Sequence, residues 1–168
     1  EKVNKLRGDY VEFGSYLSEM QVAAYLILGK LKLIKLFYGL DIFKLKNNFS
    51  ANYNKAKFKI KKISSSLKIL KINLEDKNEL SKNKKILSKI LISVIDCNNE
   101  QALKNSLNFS LKNIVNGGII YIDDYFILKN KELILKKTLN NSIKKYKRKI
   151  EIFNSYPPFG LAFIVLNK

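Results

Sequence analysis

The stretch that decides the fold reads Gly117-Gly118-Ile119-Ile120-Tyr121-Ile122-Asp123-Asp124-Tyr125-Phe126. Its two glycines follow an amphipathic segment and predict the end of a helix. The apolar run after them predicts a strand buried on both faces, as in the centre of a mostly parallel sheet. Ligands of such sheets bind beyond the carboxyl ends of the strands. Asp123 and Asp124 are therefore candidate functional residues.

Length and charge limit the class of protein. The chain has 168 residues, of which 46% are hydrophobic, so residues 1–168 are expected to form a single domain. The formal net charge of +18 invites a nucleic-acid partner. Almost all of the positive charge is lysine, however, with only Arg7 and Arg148 as arginines. Arginine is the preferred bidentate ligand of phosphate and guanine, so compositional bias explains the charge better and nucleic acid is not the predicted partner.

Several kinds of chemistry and location are excluded by what the sequence lacks. Cys97 is the single cysteine, so no disulfide can form within the chain, and a reducing compartment is expected. The sequence has no histidine, which excludes histidine-based triads and the usual zinc sites. Three lysines interrupt the apolar stretch from Met20 to Phe37, so it is not expected to span a membrane. With no signal-peptide pattern either, we expect a cytoplasmic protein.

The first half of the chain predicts strands that end in acids. Asp9–Gly14 is a first strand that carries Glu12 and ends at a glycine turn, where backbone amides could receive a ligand or simply form a tight turn. A helical stripe follows, formed by Met20, Ala23, Ala24, Ile27, Leu31 and Ile34. Leu36–Asp41 is a second strand, and an acid at its tip is suited to bind the hydroxyls of a ribose.

The next two elements are a peripheral helix and a third strand. A short helix between Ala51 and Ile63 is expected to carry solvated lysines. The third predicted strand, Leu67–Leu74, ends near Glu75 and Asp76. Asp76 could accept a hydrogen bond from an adenine amine or could equally be a turn residue.

The second half continues the alternation of strands and helices. The remaining predicted elements are a strand over Ile90–Ile95 closed by Asp96, a helix from Glu100 with Leu103, Leu107, Leu111 and Ile114 on one face, the strand that opened this section, a helix over about Lys131–Lys147, and strands over Lys149–Asn154 and Leu161–Leu166. The last two are joined by a turn too short for a parallel crossover. The fold class is thus α/β, a doubly wound, mostly parallel sheet of about seven strands whose last strand is antiparallel.

The order of these parts resembles a class I S-adenosylmethionine-dependent methyltransferase, which has a Rossmann-like fold. Within that group the chain is similar to the macrocin O-methyltransferase family, metal-dependent enzymes that methylate sugar hydroxyls. The strings that carry this resemblance are Gly8-Asp9-Tyr10-Val11-Glu12-Phe13-Gly14, Tyr38-Gly39-Leu40-Asp41-Ile42-Phe43, Ile95-Asp96-Cys97-Asn98, Asn116 to Tyr125, and Tyr156-Pro157-Pro158-Phe159-Gly160.

The resemblance implies two sets of site residues. The cofactor S-adenosylmethionine would be held by Glu12, Gly14, Tyr16, Asp41, Ile42 and Asp76. A magnesium ion, Mg²⁺, would be held by Asp96, Asp123 and Asp124, with Asp96 also catalytic. Clustered carboxylates repel one another, and a hard divalent cation relieves that repulsion. The alternative for Asp123 and Asp124 is that they cap the turn that follows.

The resemblance also implies an activity and leaves alternatives open. The implied function is magnesium-assisted O-methylation of a sugar or another small-molecule hydroxyl, without a membrane or nucleic acid and with homo-oligomerisation left open. Two departures from the family are visible. Ser18 and Glu19 stand where further glycines of the cofactor loop are expected, and the helices that precede the first strand have no counterpart in these residues. The alternatives are a non-catalytic binding scaffold, favoured if Glu19 blocks the cleft, and an RNA-directed methyltransferase, favoured if lysines surround its mouth.

Overall fold

The computed structural model describes residues 6–42, 53–125, 129–156 and 160–167. Within those ranges the helices are α1 (Glu19–Leu28), α2 (Tyr53–Ile63), α3 (Lys77–Lys82), α4 (Glu100–Asn113) and α5 (Lys129–Lys145), with a 3-10 turn over Gly29–Leu31. The strands are β1 (Gly8–Phe13), β2 (Ile34–Asp41), β3 (Leu67–Lys71), β4 (Ile90–Ile95), β5 (Ile114–Ile122), β6 (Arg148–Tyr156) and β7 (Gly160–Asn167). The short helix α3 was not among the predicted elements.

All seven strands form one sheet in the order β3-β2-β1-β4-β5-β7-β6. Strands β1 to β5 pair in parallel, and β7 lies between β5 and β6, antiparallel to both. The predicted Rossmann-like, doubly wound sheet with an antiparallel last strand is confirmed. The order of the strands reverses between β1 and β4, which is where open α/β sheets bind their ligands.

Helices pack on both faces of the sheet and enclose two apolar clusters. The larger cluster contains Phe13 and Leu40 of the sheet with Leu103, Leu107 and Leu111 of α4. These three leucines form the buried helix face that the sequence predicted, but Ile114, which was predicted with them, belongs to β5. The cluster on the other face contains Tyr10, Phe37 and Leu91 of the sheet with Ala56 and Ile60 of α2. No helix among the described residues is long and apolar enough to cross a membrane.

The glycine pair lies inside a strand, so the prediction that it ends a helix is wrong. Helix α4 ends at Asn113, and β5 already begins at Ile114. An added Cβ atom at Gly118 would lie 2.5 Å from Ile114 Cγ1 and 2.9 Å from the Leu91 carbonyl oxygen. Gly117 has a φ of +81°, and the pairing of β5 with β4 shifts register over this stretch. The two glycines therefore serve an irregularity of the strand and its close approach to β4.

The burial of β5 also differs from the prediction of full burial on both faces. Ile120 and Ile122 are buried, whereas Ile119 and Tyr121 between them are only partly buried. One face of the strand packs in the core, and the other is incompletely covered. An apolar run of this length does not distinguish the two cases, because the partly covered face also carries Ile and Tyr.

The predicted apolar stripe of the first helix is wrong as well. Helix α1 ends at Leu28, and Ile34 belongs to β2. Met20 and Ile27 point outward, with 43% and 71% of their surface exposed. The helix instead buries Gln21, whose side-chain amide donates hydrogen bonds to the carbonyls of Phe37 and Lys68. A polar residue faces the sheet because backbone carbonyls there accept from it.

Candidate active site

A cleft of about 460 Å³ opens at the carboxyl edge of the sheet, where the strand order reverses. Its lining residues come from the loops that follow the first four strands and from the start of α4: Gly14, Tyr16, Asp41, Ile42, Asn73, Leu74, Glu75, Asp96, Cys97, Asn98, Asn99 and Ala102. Of the residues predicted to hold the cofactor, Gly14, Tyr16, Asp41 and Ile42 are in this lining. Glu12 and Asp76 are not.

The turn after β1 depends on Gly14. Its φ is +91°, and an added Cβ atom would lie 2.0 Å from the Asp96 carbonyl oxygen. No other residue fits there without displacing the backbone after β4. The tips of β1 and β4 are thus in direct contact.

The loop after Gly14 is held in a conformation that favours glycine at two more positions. Tyr16 and Ser18 have φ angles of 45° and 60°. Of the two positions where the sequence departs from the family's glycines, Ser18 has this backbone conformation, whereas Glu19 is helical. Glu19 is the first residue of α1 and forms an exposed ion pair with Lys59, with Oε1 and Nζ 3.3 Å apart. Its carboxylate therefore lies outside the cleft.

Asp41 links the tips of β1 and β2. It is the last residue of β2, and its Oδ2 accepts a hydrogen bond of 2.9 Å from the backbone N–H of Tyr16. The same carboxylate lines the cleft. The prediction that an acid ends the second strand is therefore confirmed.

Glu12 lies under the cleft rather than in its wall. Only 4% of its surface is exposed, and its Oε2 accepts a hydrogen bond of 3.0 Å from the Tyr10 hydroxyl. Burial raises the pKa of Glu12 to about 8, and the hydrogen bond from Tyr10 opposes that rise. The negative charges of Asp96 and Asp41 raise the pKa further. The carboxyl group is accordingly protonated at neutral pH.

Three carboxylates converge beside the cleft. Strands β4 and β5 are neighbours, and Asp96 and Asp123 directly follow their last residues. Oxygen atoms of Asp96, Asp123 and Asp124 all lie within 4.8 Å of one another. Adjacent strand residues point to opposite faces, but Asp124 has a φ of 54° and belongs to a turn. The predicted bend between Asp123 and Asp124 is confirmed, and it lets both carboxylates face the same point.

Tyr121 of β5 orients the Asp123 carboxylate. The Tyr121 hydroxyl donates a hydrogen bond of 2.8 Å to Asp123 Oδ1. Burial and the hydrogen bond to Asp123 raise the pKa of Tyr121, so it remains a donor. The three half-buried carboxylates supply only oxygen atoms, which is the donor set that a hard cation such as Mg²⁺ prefers. The residues present therefore fit the predicted ion.

The sequence left Asp76 open as either an adenine-binding residue or a turn residue. The structure shows it as a turn residue. Strand β3 ends at Lys71, so the chain has already turned into α3 when it reaches Asp76. Asp76 is the N-cap of that helix, and its Oδ1 accepts a hydrogen bond of 2.8 Å from the N–H of Asn78. Glu75, one residue earlier, lines the cleft instead.

Parts of the strings that carry the family resemblance lie outside the described residues. These are Phe43, which follows the second strand tip, and the segment 157–159 between β6 and β7. The strands on either side of that segment pair antiparallel, with Tyr156 opposite Gly160, as the short connection predicted.

No protein-family model matches the sequence, and no curated protein matches it. Solved structures do match. The O-methyltransferase NovP superimposes with a TM-score of 0.76 at 13% sequence identity, over 98% of this chain and 74% of that chain. CalS11, a TDP-rhamnose 3'-O-methyltransferase, has a TM-score of 0.63 at 12% identity, over 96% of this chain and 73% of that chain. An rRNA methylase from Streptococcus thermophilus has a TM-score of 0.62 at 10% identity, over 96% of this chain and 89% of that chain.

These similarities define the fold. The chain has the Rossmann-like fold of class I S-adenosylmethionine-dependent methyltransferases, the class that the sequence resemblance indicated. Neighbours with this fold include enzymes of small molecules and of RNA, so the fold alone does not name a substrate.

Proposed function

We propose that this protein is an S-adenosylmethionine-dependent O-methyltransferase that acts on a sugar or another small-molecule hydroxyl with the help of Mg²⁺. One observation carries the proposal: Asp96 belongs both to the lining of the cleft and to the group of three carboxylates. A cofactor in the cleft and an ion at the carboxylates would then be neighbours. That is the arrangement a methyl transfer between a bound sulfonium and an ion-bound hydroxyl requires.

The residues of the cleft divide the task of holding the cofactor. The Asp41 carboxylate, at the tip of β2, is suited to accept hydrogen bonds from the ribose hydroxyls, and Ile42 adds an apolar wall. Gly14 lets the backbone after β1 lie against the Asp96 carbonyl, and it lines the cleft between the two strand tips. Tyr16 lines the same cleft with a partly exposed ring. Glu12 is buried next to the Tyr10 hydroxyl as a neutral carboxyl group and does not line the cleft.

In the proposed reaction the sulfur–methyl bond of the cofactor breaks, and a bond forms between that methyl group and the acceptor oxygen. The acceptor hydroxyl loses its proton, and Asp96 is the carboxylate placed to receive it, since it faces both the cleft and the cluster. Mg²⁺, when bound by Asp96, Asp123 and Asp124, would lower the pKa of that hydroxyl. No histidine is needed, which fits a sequence that has none.

Each of the two alternatives is weakened by one observation. A scaffold blocked by Glu19 is disfavoured because Glu19 pairs with Lys59 outside the cleft. An RNA-directed enzyme is disfavoured because the described lining of the cleft contains Asp41, Glu75 and Asp96 but no lysine or arginine. An RNA substrate would bring phosphates to this acidic surface.

The remaining parts of the proposal concern the whole chain. We propose that residues 1–168 act as one domain, because the seven strands share a single sheet. A reducing, cytoplasmic location would suit the single cysteine, Cys97, which is buried and not part of a disulfide. Homo-oligomerisation stays open.

Thermal unfolding with S-adenosylhomocysteine tests the proposal. A ligand that binds the native state at a concentration of 100 times its Kd stabilises the protein by about 2.7 kcal/mol, which raises the melting temperature by several degrees. We expect such a rise with millimolar ligand. A folded protein whose melting temperature does not move would contradict the proposed cofactor.

A further inference from the structure

We propose that Asn105 is a positioning residue for the cofactor: its side-chain amide holds in place the loop that forms one wall of the cleft. The inference rests on the proposed function, since it takes the cleft to be the cofactor site. Asn105 lies on α4 and is not among the residues that line the cleft.

The loop between β3 and α3 needs such a support. Its residues Asn73, Leu74 and Glu75 line the cleft, yet they lie beyond the last pair of the β2–β3 ladder, Asp41 with Lys71. Sheet pairing therefore does not fix them. Their conformation depends on the buried side chain of Leu74 and on hydrogen bonds. These include a backbone bond of 3.0 Å from the Asp76 N–H to the Asn73 carbonyl and several bonds to side chains.

Asn105 supplies two of these hydrogen bonds from one nitrogen atom. Its Nδ2 donates to the Leu74 carbonyl at 3.0 Å and to the Glu75 carbonyl at 2.9 Å. Both hydrogens of the amide are thus used on consecutive carbonyls of the cleft wall. Asn105 is buried, with 8% of its surface exposed, so water competes little for these bonds.

The orientation of the amide is also fixed. Gln101 lies one turn earlier on α4, and its Nε2 donates a hydrogen bond of 2.9 Å to Asn105 Oδ1. If the amide were flipped, its Nδ2 would face the Gln101 Nε2 donor, and its Oδ1 would face the carbonyl oxygens of the loop. On the same helix, Ala102 also lines the cleft. Helix α4 therefore contributes one wall of the cleft directly and, through Asn105, sets the position of another.

The variant Asn105→Asp tests this role, because it keeps the shape of the side chain and removes both donors. Asn113→Asp is the matched control. Asn113 lies on the same helix with 7% of its surface exposed, and its Nδ2 donates at 2.8 Å to the Phe109 carbonyl of its own helix. Both variants lose a buried amide and are expected to lower the melting temperature. Only Asn105→Asp should change the structure of the cleft wall and the binding of the ligand.

Two measurements separate positioning from stability. By titration calorimetry, Asn105→Asp should raise the Kd for S-adenosylhomocysteine about tenfold, whereas Asn113→Asp should stay within about twofold of the wild type. By hydrogen exchange without ligand, the amides of residues 73–76 should exchange faster in Asn105→Asp than in Asn113→Asp. If Asn105→Asp does not fold, Asn105→Ala, which also removes both donors without adding a charge, is measured in its place.

The outcomes keep this inference distinct from the proposed function. A wild-type protein that does not bind the ligand would contradict the proposed function and, with it, the cofactor role of Asn105. A wild type that binds, with an Asn105 variant that binds within twofold of it or shows unchanged exchange at residues 73–76, would overturn this inference alone.

Discussion

At the scale of single residues, Glu12 makes the stability of the protein depend on pH. Its pKa is about 8 in the folded protein against 4.5 in an unfolded chain, chiefly because of burial. Between those values the native state holds a proton that the unfolded state has lost. The contribution of Glu12 to stability is therefore full below pH 4.5 and falls as the pH rises to 8, with a slope of up to about 1.4 kcal/mol per pH unit.

The variant Glu12→Gln removes this dependence. Glutamine keeps an acceptor for the Tyr10 hydroxyl but cannot ionise. We expect the variant to be more stable than the wild type at pH 8 and similar to it at pH 5. Urea unfolding at both pH values measures the difference. A wild type and a variant whose stabilities change in parallel from pH 5 to pH 8 would show that Glu12 is ionised in the native state.

A second residue-scale prediction concerns Asp124. The variant Asp124→Asn removes one charge from the cluster, and asparagine tolerates the left-handed backbone at this position as well as aspartate does. We expect Mg²⁺-dependent methyl transfer to fall at least a hundredfold while the Kd for S-adenosylhomocysteine changes by less than about threefold. The reason is that the strand tips other than β5 form the cofactor cleft.

The control for Asp124→Asn is Glu151→Gln, which changes the net charge equally at an exposed residue of β6 that pairs with Lys149. Both the transfer rate and ligand binding should be unaffected in the control. An equal loss of transfer and of ligand binding in Asp124→Asn would assign Asp124 to the fold or the cofactor, and the metal assignment would then be withdrawn.

At the scale of the elements, the glycines of β5 test how the sheet is built. The variant Gly118→Ala would place a methyl group 2.5 Å from Ile114 Cγ1 and 2.9 Å from the Leu91 carbonyl oxygen. Strands β4 and β5 would have to separate locally, so we expect a loss of about 1–3 kcal/mol in the free energy of unfolding. If the cluster of carboxylates at the ends of the same two strands binds Mg²⁺ as proposed, the variant should bind the ion less tightly.

Gly29→Ala is the comparison variant for Gly118→Ala, because it changes a glycine outside β5. Gly29 has helical φ and ψ angles, and an added Cβ atom would touch only the ring of Tyr25, at 3.3 Å. Its stability should stay within about 1 kcal/mol of the wild type. Denaturant unfolding measures the free energy of unfolding of both variants. A larger loss in Gly118→Ala would show that the irregular strand requires glycine, whereas equal losses in the two variants would contradict this.

At the scale of the whole molecule, the strand tips could be predicted because each is an apolar run that ends on an acid. Asp41, Asp96 and Asp123 were found this way, and the structure places each of them at the end of its strand. The fold followed from the same alternation. Which side chains converge at one edge of the sheet then follows from parallel pairing, since parallel strands end on the same side.

The errors arose where a tertiary partner decides the local structure. The burial of Gln21 depends on carbonyls of β2 and β3 that no local pattern reveals. The glycines of β5 resemble a helix stop in sequence, because the close approach of Leu91 that requires Gly118 is visible only in the folded sheet. The end of β3 was predicted at Leu74 instead of Lys71, because the strand stops where its pairing with β2 stops.

The most direct test of the central claim is the binding isotherm of S-adenosylhomocysteine for the wild type, for Asp41→Ala and for Glu151→Gln. Asp41 is the acid proposed for the ribose hydroxyls, whereas Glu151 is an exposed acid of β6 that is not part of the cleft lining. The account predicts that one ligand binds per chain, that Asp41→Ala binds at least tenfold more weakly, and that Glu151→Gln binds like the wild type. A wild type without measurable binding, or an Asp41→Ala variant with unchanged affinity, would contradict it.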